Sequence, residues 1–102
     1  MPSSDGWILR PAAQADLSEI WRHGAASWGV EQADRYADGL FAVFDLLADF
    51  PEMARERREL TPPVRIHPTG AHLVIYRVEG PEVEITRILH AAQNLTAYLP
   101  ET

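Results

Sequence analysis

Few side chains in this chain can move a proton, and the histidines come first. His90 follows the apolar pair Ile88-Leu89. It can serve as a general base or as a hydrogen-bonded structural group. His67 and His72 flank Gly70 and can approach each other across a turn. No carboxylate stands at ligand spacing beside them, so no metal site is expected. His23 reads as an exposed helix residue. The chain has no cysteine and no lysine. That removes disulfides, thiolate metal ligands, Schiff bases and lysine general bases. The sequence holds no Gly-rich phosphate loop, nucleophile elbow or paired-carboxylate pattern, and no cofactor is expected.

Arg55, Arg57, Arg58 and Arg65 form the main basic feature. They can make forked contacts to carboxylates of a partner. They can equally pair with Glu52, Glu56 and Glu59 in a solvated connection. The formal net charge of −6 argues against general nucleic-acid binding, because phosphate affinity comes mainly from neutralising backbone charge. Trp21 falls in a helical apolar stripe and reads as core. Trp28 falls at a turn and is a candidate partner anchor. Tyr98 reads as a half-buried anchor of the tail.

These residues need elements to position them. At 102 residues the chain fits one domain with one core. Residues 1–6 read as a disordered lead and residues 7–102 as the single domain. Trp7-Ile8-Leu9 suggests a strand stopped by Pro11, which suits the first position of a helix. Ala13, Leu17, Ile20, Trp21, Gly24, Ala25 and Trp28 recur at helical spacing. Asp16 and Glu19 favour the dipole near that helix's start. Gly29 marks its end. A second stripe follows through Val30, Ala33, Ala37, Leu40, Phe41, Phe44, Leu47 and Ala48, and ends at Phe50-Pro51. The two helices form an antiparallel hairpin. Residues 52–62 read as a solvated connection. Val64 to His67, flanked by prolines, is predicted as an edge strand. His72 to Val78 and Glu82 to Leu89 are predicted strands joined at Gly80-Pro81. Asn94 to Leu99 suggests a short C-terminal helix. The predicted fold is α+β, in the order β-α-α-β-β-β, with the hairpin packed on one face of a mostly antiparallel sheet. No apolar run approaches the roughly 20 residues of a membrane span. The N-terminus lacks a leader pattern, so a cytoplasmic location is expected.

Four segments, in order and spacing, resemble the ParE branch of the RelE/ParE toxin superfamily. They are Leu9-Arg-Pro-Ala-Ala-Gln-Ala-Asp-Leu-Ser-Glu-Ile-Trp21, Trp28-Gly-Val-Glu-Gln-Ala-Asp-Arg-Tyr-Ala37, His72-Leu-Val-Ile-Tyr-Arg77 and Ile85-Thr-Arg-Ile-Leu-His90. The resemblance implies a bacterial type II toxin bound by a cognate, ParD-like antitoxin, in a heterotetramer or larger assembly. For the ParE branch it implies inhibition of DNA gyrase by protein binding. For the RelE branch it implies ribosome-dependent cleavage of messenger RNA, which would fall to His90, Tyr98 and Arg65. The segment Ala91-Ala92-Gln93-Asn94 lacks the basic residues that cleaving relatives place there, so the ParE branch is preferred. A non-toxic interaction module of the same fold is the third reading. Arg55, Arg57, Arg58, Arg65, Trp28 and Tyr98 are the expected contacts to antitoxin or target.

Overall fold

A computed structural model describes residues 6–92. The expected tail helix and Tyr98 lie outside the described residues. The elements are β1 (Trp7–Leu9), α1 (Pro11–Trp28), α2 (Val30–Asp49), β2 (Glu56–Arg57), β3 (Val64–Thr69), β4 (His72–Glu79) and β5 (Glu82–His90). The sheet order is β1-β5-β4-β3-β2. β1 runs parallel to β5, and all other neighbours are antiparallel.

Local chemistry explains the breaks. Pro11 opens α1, where its missing N–H costs no hydrogen bond. Gly29 separates the helices at φ 100° and ψ 161°, a backbone region essentially reserved for glycine. Its amide still closes α1 by donating to the Ala25 carbonyl at 3.0 Å. Gly70 and Gly80 take φ values of 57° and 72° at the two hairpin turns.

The hairpin buries its stripe on one face of the sheet. Ala13 of α1 and Leu40, Phe44 and Leu47 of α2 meet Val74 and Tyr76 of β4 and Val83, Ile85 and Ile88 of β5. Each large side chain enclosed there contributes roughly 2 kcal/mol of transfer free energy. The opposite face holds a smaller cluster of Val64, Ile75 and Leu89, with Leu60, Ile66 and Leu73 against it. This is why β4 is apolar on both faces.

Two details depart from expectation. β3 is not the sheet edge, because β2 pairs with its start, Glu56 to Arg65 and Arg57 to Val64. The solvated connection therefore contains a short strand. In β5 the register shifts so that Ile75 faces Arg87 while Tyr76 faces Ile85. Thr86 is the extra residue, and its hydroxyl donates to the Ile75 carbonyl at 3.1 Å. This bulge returns Ile88 to the same core as Ile85.

Candidate functional site

The helical hairpin and the ends of β4 and β5 enclose a groove of about 560 Å³. Its apolar walls include Ile20, Trp21, Trp28, Ala33 and Ile88, and its polar groups include Tyr36, His72, Arg87 and His90. Small residues on the facing helices make it possible. Gly24 is buried against Ala33, and a Cβ on Gly24 would meet the Ala33 Cβ at 3.5 Å.

Aspartates fix the groove's frame. The Trp21 indole N–H donates to Asp34 at 2.7 Å, joining α1 to α2. The Asp16 carboxylate accepts from Arg87 at 2.7 and 2.9 Å and from the Ile88 amide at 2.9 Å. Asp16 lies beyond the first turn of α1, so its role is tertiary and not the dipole effect expected of it. β1 ends at Leu9, opposite Ile85. Asp16 thus satisfies a β5 amide at a point the short strand does not reach. Asp45 plays a similar part elsewhere, accepting from the Trp7 indole at 2.8 Å.

His72 and His90 are direct partners across β4 and β5, with ring centroids 5.4 Å apart. The His72 Nδ1 shares a hydrogen bond with the Tyr36 hydroxyl at 2.7 Å. Burial, then the nearby His90 and His23, hold His72 below its ordinary proton affinity. The Ala92 amide donates to His90 Nδ1 at 3.1 Å, so neutral His90 carries its proton on Nε2. His90 is thus a hydrogen-bonded group at the groove mouth.

The expected contact residues fall in two places. Trp28 is 64% exposed at the hairpin tip and lines the groove. The arginines lie around β2 and β3. Arg57 binds Glu59 at 2.7 Å and Arg58 binds Glu56 at 2.9 Å. The Arg57 hydrogen bond lowers the Glu59 pKa. Arg65 donates to the Ala54 carbonyl at 2.6 Å. Arg55 is exposed. The register separates Arg65 from His90. Arg65 is paired with Tyr76, whereas the partner of His90, His72, is paired with Thr69 at the other end of β3. At the usual rise along a strand that is roughly 13 Å. The structure therefore does not bring together Arg65 and His90. Sequence reasoning missed Asp16, Tyr36 and Arg87, which carried no local signal.

Comparison with known proteins agrees with this architecture. Residues 7–95 match the family model described as ParE toxin of type II toxin-antitoxin system, parDE. Toxin ParE1 of Caulobacter vibrioides is 42% identical over 91 residues, covering 89% of this chain and 94% of the relative. Toxin ParE1 of Mycobacterium tuberculosis is 39% identical over 93 residues, covering 90% and 95%. A solved structure described as the chromosomal ParDE TA system from P. aeruginosa superimposes with a TM-score of 0.71 at 24% identity. That match covers 83% of this chain and 94% of the other and supports the fold. The chain belongs to the ParE family of toxins from type II toxin–antitoxin systems.

Proposed function

We propose that this chain arrests growth by occupying a surface of DNA gyrase in the cytoplasm, and that a ParD-like antitoxin silences it by binding. The action is protein contact and not catalysis. The observation that supports this reading is the fate of the arginines. Of nine basic side chains, Arg22, Arg35, Arg57, Arg58, Arg65, Arg77 and Arg87 are committed to partners within the chain. Gripping and breaking an RNA backbone needs cations converging on one phosphate. Here those seven are spread over separate elements and engaged within the chain.

The antitoxin has two suitable seats. One is the groove, whose apolar walls suit the apolar stripe of a helix. The other is the outer edge of β3 beyond Arg65, where β2 no longer pairs. A segment disordered on its own would order as it lies along them.

Induced expression tests the reading. Growth arrest with DNA breaks and intact messages is expected, relieved when the antitoxin is co-expressed. Normal growth with soluble, folded protein would favour an inert binding module. Messages cut at the ribosome would favour the RelE-type reading.

A further inference from the structure

Tyr36 points from α2 toward the β3–β4 turn. A Cβ on Gly70 would meet its hydroxyl at 2.8 Å, so the phenol lies directly against that turn. Its hydroxyl is bonded to His72, the two rings are 5.5 Å apart, and the His72 ring meets His90 edge-on. The Ala91 amide closes the same end by donating to the Ala71 carbonyl at 2.8 Å. A row of three rings therefore runs from the helical hairpin across β4 to β5.

We propose that Tyr36, His72 and His90 form a proton-operated latch, which holds α2 against the ends of β4 and β5 at neutral pH and loosens on acidification. The groups around His72 come from the elements beside it. α1 presents Asp16, Glu19 and His23, α2 presents Tyr36, β5 presents Arg87 and His90, and β3 carries His67 two residues from Thr69, the direct partner of His72. Asp34 of α2 is held by the Trp21 indole. Asp16 is bound to Arg87 and Glu19 to Arg22. A proton arriving on His72 thus meets two imidazoles, while both groove carboxylates are already engaged.

The Tyr36 hydrogen bond alone does not make the switch, because a phenol oxygen can accept from imidazolium. The switch is the charge itself, placed on a half-buried ring beside His90. In the closed form His72 binds a proton less readily than its ordinary value of 6.5, with burial the first cause. An opened end binds it sooner, so acidification through and below that value favours opening.

Amide hydrogen exchange on the full chain tests the latch, with protection factors compared at about pH 7.5 and about pH 5.5. The reporter is the Ala91 amide. The reference is the Arg10 amide, which donates to the Ile85 carbonyl at the far end of β5. Ala91 is expected to lose protection at the lower pH, by up to about tenfold, with Arg10 unchanged. His72→Asn keeps a hydrogen-bonding side chain that does not titrate, and should abolish the difference. His90→Asn removes the facing imidazole and should shrink it, which serves if the first variant folds poorly. Constant protection at Ala91, an equal loss at Arg10, or an undiminished loss in the folded variants would overturn the proposal.

Discussion

Asp16 on α1 and Arg87 on β5 are joined by two hydrogen bonds although 71 residues separate them in sequence. The same carboxylate takes the Ile88 amide. One side chain thus orients the first helix, holds the edge of a central strand and fixes a cation in the groove wall. The pair is mostly enclosed, with side-chain exposures of 27% for Arg87 and 16% for Asp16. Breaking a buried pair by removing one partner costs more than a surface pair is worth. Asp16→Ala is expected to destabilise the fold by about 2–4 kcal/mol, allowing for this partial exposure. Urea unfolding should show a lower midpoint at unchanged slope. An unmoved midpoint would show that the pair does not hold α1 to the sheet.

Tyr76 gives a prediction at alkaline pH. Its side chain is fully enclosed, and its hydroxyl donates to the Pro51 carbonyl at 2.9 Å. Burial raises the phenol above its ordinary value of 10.0, against smaller lowering effects from a backbone hydrogen bond and Arg65. The folded state therefore holds this proton more tightly than the unfolded chain. The stability so gained is complete below pH 10.0 and declines as pH rises through the folded value. Tyr76→Phe should lose about 1 kcal/mol near neutrality. Above the ordinary tyrosine value its stability should fall less steeply than that of the parent, because the titrating group is gone. Parallel alkaline declines of the two proteins would contradict this.

Fold and interface can be separated at Trp28 and Arg55. Trp28 is 64% exposed, and Arg55 is also on the surface. Replacing either with Ala should change stability by within about 0.5 kcal/mol. If Trp28 anchors the antitoxin, Trp28→Ala should weaken the complex by about 2 kcal/mol, read by calorimetric titration. Arg65→Ala should instead lower stability, since Arg65 braces the Ala54 carbonyl. Undiminished antitoxin affinity in Trp28→Ala would remove the hairpin tip from the interface.

The helices were legible because Leu40, Phe44 and Leu47 repeat at the helical period and all enter the core. The hairpin links were legible because Gly29 and Gly70 stand where positive φ is needed. β2 was not, because Glu56-Arg57 is two charged residues long and owes its strand form to β3 alone. The exchange of faces after Ile85 was hidden too, since nothing about Thr86 marks a bulge before its partner strand is known. The groove's polar chemistry was the least visible. Asp16 with Arg87 and Tyr36 with His72 are pairs made by tertiary packing, and neither leaves a spacing pattern along the chain. Of the two readings open for the arginines of the 52–62 connection, local pairing is seen at Arg57 and Arg58, which lie two residues from Glu59 and Glu56.

Negative supercoiling of relaxed plasmid by purified gyrase, with the toxin added at increasing ratio, tests the mode of action most directly. The expected result is loss of supercoiling near equimolar toxin, with linear DNA released on denaturing the enzyme and both effects reversed by the antitoxin. Full supercoiling at large excess of folded toxin, with no trapped breaks, would contradict gyrase as the target.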